Sequence, residues 1–176
     1  LDTAAWYHES VDFVLSTGLM NGVGNEKFAP NNQMTRAMVV TVLYRLAGEP
    51  KVEGTVDFTD VPAGEYYYDA LVWATENGLA MGVTETTFAP GRSITREQLV
   101  TFLYRYAQYA GLDVSGRADL TTFTDSQSVS SYAVDAFAWA VNAGIIDGVG
   151  NNTLAPRSTA TRVQVAAVLM RLSRLS

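Results

Sequence analysis

Three Thr-Arg pairs recur along this chain: Thr35-Arg36, Thr95-Arg96 and Thr161-Arg162. Thr is a favoured helix N-cap, so each Arg falls at the first helical position. A guanidinium there sits beside amides that have no partner within the helix, at the positive end of the helix dipole. It can grip a carboxylate through two parallel hydrogen bonds. The competing reading is structural, with each Arg paired to Asp60 or Asp125 and locking one segment to the next. At a fixed distance before each pair stands an aromatic residue, Trp6, Tyr66 or Tyr132. Such rings stack on a sugar face or pack over a neighbouring helix end, and keep a polar tip for hydrogen bonding. Gly24-Asn25 and Gly150-Asn151 offer amides to hydroxyl groups, and also turn the chain. Arg45, Arg105 and Arg171 follow the first set by nine residues, half a turn round a helix. They read as solvated or inter-repeat contacts.

Other chemistries find no support. His8 is the single histidine, and no Ser, Cys or second His stands at a meaningful spacing from it. Glu9, Asp69 and Asp135 match in position but fall in first helical turns, where the dipole favours acids without any glycosidase role. The run Asp147-Gly148-Val149-Gly150-Asn151-Asn152 lacks the spacing and closing Glu of a calcium loop. Gly22-Val23-Gly24 is too short for a dinucleotide loop. Cysteine is absent, which excludes disulfides, thiol nucleophiles and Cys-ligated zinc. Hence no catalytic residue, metal site or cofactor is expected. With 12 Lys and Arg against 18 Asp and Glu, the net charge is −6, which speaks against nucleic acid as a partner. No apolar run nears the roughly 20 residues of a membrane helix, so no membrane insertion is expected.

The elements that must carry these residues are repeats. Segments Trp6 to Gly48, Tyr66 to Gln108 and Tyr132 to Arg174 align without a gap over 43 positions, at offsets of 60 and 66. Nine positions are identical in all three, among them Gly18/Gly78/Gly144, Gly22/Gly82/Gly148, Pro30/Pro90/Pro156 and the Thr-Arg pairs. Each copy reads as helix, loop, helix. The first helices run over 6–17, 66–77 and 132–143 and end at a glycine suited to a left-handed cap. Phe28-Ala29-Pro30 and its equivalents should be extended, since a residue before Pro avoids the helical region. Gln98 and Gln164 complete capping boxes with Thr95 and Thr161, whereas Met38 cannot with Thr35. The second helices are apolar nearly all round, which argues for deep burial. With 48% apolar residues, three such pairs can share one core. The expected fold is all-α, three helix-loop-helix repeats in a pseudo-threefold arrangement around a central three-helix bundle, with an open solenoid as the alternative. Copy one spans residues 1–48, copy two 58–108 and copy three 123–176, folding as one unit. A Phe-Thr-Asp opens copies two and three (Phe58-Thr59-Asp60, Phe123-Thr124-Asp125) but is missing from copy one. The chain opens at Leu1, which suggests a piece of something longer.

These residues resemble the S-layer homology family. The resemblance rests on the aromatic start of the first helix, Gly18-Leu19-Met20-Asn21-Gly22 and its equivalents, and Phe-Ala-Pro. It rests also on Met34-Thr35-Arg36-Ala37, Ile94-Thr95-Arg96-Glu97 and Ala160-Thr161-Arg162-Val163, set against a family Thr-Arg-Ala-Glu that opens a helix. The last Glu of that motif is Met38, Gln98 and Gln164 here, and copy three has Leu154 for Phe. The resemblance implies non-covalent anchoring of a larger surface protein to a Gram-positive type cell wall, at an extracellular location. It implies grooves between repeats that bind a secondary cell-wall polysaccharide, often one carrying pyruvate ketals, and no enzymatic activity. The residues expected in those grooves are Arg36, Arg96, Arg162, Trp6, Tyr66, Tyr132, Thr35, Thr95, Thr161, Gly24, Asn25, Gly150 and Asn151. The alternative is that the same grooves hold a partner protein.

Overall fold

The computed structural model describes residues 6–25 and 27–175; residues 1–5, which open copy one, Glu26 and Ser176 lie outside them. Among the described residues the fold is all-α, with six helices: α1 (His8–Ser16), α2 (Arg36–Leu46), α3 (Tyr68–Glu76), α4 (Arg96–Tyr109), α5 (Val134–Asn142) and α6 (Arg162–Ser173). Each first helix begins two residues later than the sequence suggests, because Tyr7, Tyr67 and Ala133 sit at the N-cap with no side-chain cap bond. Trp6 and Tyr66 stay outside the helix and meet Tyr7 and Tyr67 edge to face, with centroids 5.4 and 5.1 Å apart. Gly18, Gly78 and Gly144 close these helices at φ of 71°, 68° and 67°, a conformation that costs other residues energy.

The second helices start as their caps dictate. Thr35, Thr95 and Thr161 accept from the amides of Met38, Gln98 and Gln164, and the last two form full capping boxes. Just before the caps, three buried residues close a triangle of backbone bonds. Met34 N–H donates to Ala160 C=O at 3.0 Å, Ala160 to Ile94 at 3.0 Å, and Ile94 to Met34 at 2.9 Å. Packing follows the same order: α2 lies on α3, α4 on α5, and α6 returns to α1. One apolar core runs through all three copies, with Leu43, Phe88, Leu103, Phe137, Trp139 and Leu169 each 2% exposed or less. Burying each such side chain contributes roughly 1.5–3 kcal/mol.

The extended conformation expected of Phe-Ala-Pro does not hold at the alanine. Ala29, Ala89 and Ala155 lie in the left-handed region at φ of 52°, 58° and 48°. A carboxylate holds this conformation in two of the copies, and Ala29 adopts it with no such bond among the described residues. Asp60 accepts the adjacent amides of Phe88 and Ala89 at 2.9 and 2.7 Å, and Asp125 those of Leu154 and Ala155 at 2.7 and 2.8 Å. Two successive N–H groups aimed at one anion require a curled, nest-like backbone. The charge-assisted bonds offset the roughly 1–2 kcal/mol cost of a left-handed Ala.

Candidate functional site: arginine-lined grooves between repeats

The helix starts carry no open amides at their first two positions. Arg36 N–H donates to Arg92 C=O (2.9 Å) and Ala37 N–H to Pro90 C=O (3.1 Å). The pattern repeats from Arg96 and Glu97 to Ser158 and Pro156, and from Arg162 and Val163 to Asn32 and Pro30. The expectation of free amides for an anion is therefore corrected: the neighbouring copy satisfies them, as burial demands.

The arginines of the Thr-Arg pairs are buried, with exposures of 2%, 6% and 9% for Arg36, Arg96 and Arg162. Each reaches into the next copy. Arg36 Nε donates to Phe88 C=O (2.9 Å) and its Nη2 to Met81 C=O (2.8 Å). Arg96 does the same with Leu154 (2.8 Å) and Asp147 (3.1 Å), and Arg162 with Phe28 (2.8 Å) and Asn21 (2.5 Å). The Arg36 and Arg162 guanidiniums also lie 4.4 and 4.6 Å from the Phe88 and Phe28 ring centroids. Burial pushes the Arg36 guanidinium down to about 10, helped by the charge of Arg92, so it stays charged near neutrality. The paired acids of the structural reading, Asp60 and Asp125, spend their oxygens on the Phe-Ala-Pro amides instead.

Two equivalent cavities open beside these contacts. The larger, of about 400 Å³, has α4 as its inner wall and is lined by Arg36 from copy one, Met81 to Val83, Arg92 and Arg105 from copy two, and Tyr132 from copy three. The smaller, of about 270 Å³, has α2 as its wall and is lined by Arg162, Asn21 to Val23, Arg45 and Tyr66. In the third position Arg96 bonds to Asp147 C=O, while Arg171 Nη1 lies 3.0 Å from the Asp147 carboxylate.

Arg36, Arg162, Tyr66 and Tyr132 thus come together on cavity walls, each from a different copy than the wall helix. Thr35, Thr95 and Thr161 serve as caps. Gly24, Asn25, Gly150 and Asn151 do not line either cavity; they form exposed loop tips, with Asn25 and Asn151 left-handed. Trp6, at 73% exposure, rests on Tyr7.

Three residues were not singled out for the site by their pattern: Arg45, Arg92 and Arg105. Arg45, Arg105 and Arg171 donate to Leu19, Leu79 and Ile145 at 3.2, 3.5 and 3.0 Å. These carbonyls belong to the same copy as each Arg, while Arg45 and Arg105 also face residues of other copies across the cavities. The available signal was the helical stripe Gln98, Thr101, Phe102, Arg105, spaced i, i+3, i+4, i+7, which faces one cavity. Tyr132 has its phenol pushed up to about 12, first by burial and then by Glu97, against the pull of Arg36 and Arg105. The Glu97 carboxylate accepts from the Ser130 amide and hydroxyl, both at 3.1 Å.

The S-layer homology domain model matches residues 2–37, 57–100 and 122–166, more than half of the chain. The surface-layer 125 kDa protein of Lysinibacillus sphaericus is 33% identical over 166 residues, 93% of this chain and 14% of that protein. The amylopullulanase of Thermoanaerobacterium thermosulfurigenes is 29% identical over 164 residues, 93% of this chain and 9% of that enzyme. The cellulosome-anchoring protein of Acetivibrio thermocellus is 25% identical over 172 residues, 93% of this chain and 38% of that protein. The chain spans a small part of each of these relatives. On the triplicate match and the identity shared along nearly its whole length, this chain belongs to the S-layer homology family.

Proposed function

We propose that this chain is a non-covalent anchoring module of a larger surface protein, placed at a bacterial cell surface. In this reading its three copies, residues 1–48, 58–108 and 123–176, form one unit about a pseudo-threefold axis, and the grooves between them hold an acidic secondary cell-wall polysaccharide of the pyruvylated kind. The observation that carries the proposal is the cavity in which Arg36, Arg105 and Tyr132, from three different copies, face one space. Guanidiniums supply the grip on a carboxylate and a tyrosine face supplies a platform for a sugar ring. An acidic protein can hold an acidic glycan when its cations are gathered in a groove, because other surface charges are screened beyond about 8 Å at physiological salt. The printed names of the relatives, surface-layer and cellulosome-anchoring proteins, support a place at the cell surface. The enzyme among them is matched over 9% of its length, which supports a binding role for this segment rather than a catalytic one.

Sedimentation with purified cell-wall sacculi tests the proposal. Binding to intact sacculi, lost when the secondary polymer is chemically removed, is the expected result. Retention on stripped sacculi would point to a protein or peptidoglycan partner and overturn it.

A further inference from the structure

The grooves are unequal, and the inequality has one sign. The α4 cavity is faced by three guanidiniums, Arg36, Arg92 and Arg105. Among the described residues none of the three has a carboxylate at ion-pair distance. Glu97, the nearest acid, bonds to Ser130 and to the Tyr132 phenol and makes no ion pair with the three. In the α2 cavity the residue matching Arg92 is Asn32, and Arg45 lies 3.9 Å from Glu49. In the third position the match is Ser158, and Arg171 is tied to Asp147 at 3.0 Å. The counterparts of Glu49 and Asp147 in copy two are Tyr109 and Met81, both uncharged at neutral pH. Like charges held around one space with no carboxylate at ion-pair distance repel each other, and an anion placed between them removes that repulsion. Arg92 is exposed on the rim, so its side chain is available to a ligand.

We infer that the α4 groove is the dominant site for an anionic saccharide, and that Arg92 is the specificity-determining residue that sets it above its two counterparts. This rests on the glycan-binding reading above. Arg92 acts there as a third point of charge, closing over a carboxylate already faced by Arg36 and Arg105.

The test is calorimetric titration with a disaccharide bearing one pyruvate ketal, at low and physiological salt. Three proteins are compared: wild type, R92N, which gives the α4 groove the residue of the α2 groove, and N32R, which does the reverse. Removing a charge-assisted contact predicts affinity about tenfold weaker or more for R92N, with a shallower salt dependence. N32R strengthens the α2 groove without equalling the α4 groove, because Glu49 still faces Arg45. Wild-type binding with R92N unchanged overturns the inference while leaving the glycan reading standing. No wild-type binding overturns both. Thermal melting of R92N at the wild-type temperature confirms that the change acts at the site and not on the fold.

Discussion

Gly82 has no room for a methyl group. A Cβ there would lie 2.2 Å from Thr84 C=O, 2.6 Å from Thr87 C=O and 2.8 Å from the Phe58 ring. Gly82→Ala should therefore cost about 1–3 kcal/mol in urea unfolding, while Gly91→Ala, which meets open space, should change stability by less than about 0.5 kcal/mol. At Gly148 a Cβ would lie 2.9 Å from the Phe123 ring, and at Gly22 3.0 Å from Lys27 C=O, so the loop backbone crowds this position in all three copies and a Phe adds to it in two. Tyr132 gives a second prediction at this scale. Its phenol is held up to about 12 partly by the Glu97 charge. Removing that negative charge eases formation of the phenolate, so E97Q should lower the Tyr132 titration midpoint, read by 13C NMR of labelled tyrosine. An unchanged midpoint would mean burial alone sets it. The arginines show what residue type and spacing can and cannot reveal. Their recurrence and helix-start placement were plain in the sequence. Their partners were not, because Met81, Phe88 and their equivalents offer backbone carbonyls, which carry no sequence signal.

Among the elements, the second helices depend on both their caps and their neighbours. Thr95→Ala removes the capping box on α4 and should cost about 0.5–2 kcal/mol, measured by thermal melting. Asp60→Ala removes two charge-assisted bonds that hold Ala89 left-handed, and should cost about 3 kcal/mol. A loss from Asp60→Ala no larger than that from the cap change would show that the loop holds itself. Gln98 and Gln164 three residues after a Thr made the boxes legible, as did the glycines that end α1, α3 and α5. The left-handed alanine was not legible. The rule for residues before Pro excludes the right-handed helix and does not choose among what remains; in copies two and three a carboxylate 28 to 30 residues away holds the left-handed form. Arg92 carries no repeat signal, because the matching positions hold three different residues, Asn32, Arg92 and Ser158.

At the scale of the whole molecule, the three copies are tied in a cycle. Copy one bonds to copy two, two to three, and three back to one through Arg162, Ala160 and α6 on α1. A repeat pair of this size cannot bury its apolar faces alone, so stability belongs to the set. Unfolding should be a single cooperative transition, with fluorescence and circular dichroism midpoints coinciding; separate midpoints would show that the copies fold independently. In the proposed function an acidic wall saccharide lies between copies. A crystal soaked with a disaccharide bearing a pyruvate ketal tests this most directly. Its carboxylate is expected within hydrogen-bond distance of Arg36, Arg92 or Arg105, with its ring against Tyr132. A saccharide bound away from every groove, with those guanidiniums untouched, would contradict it.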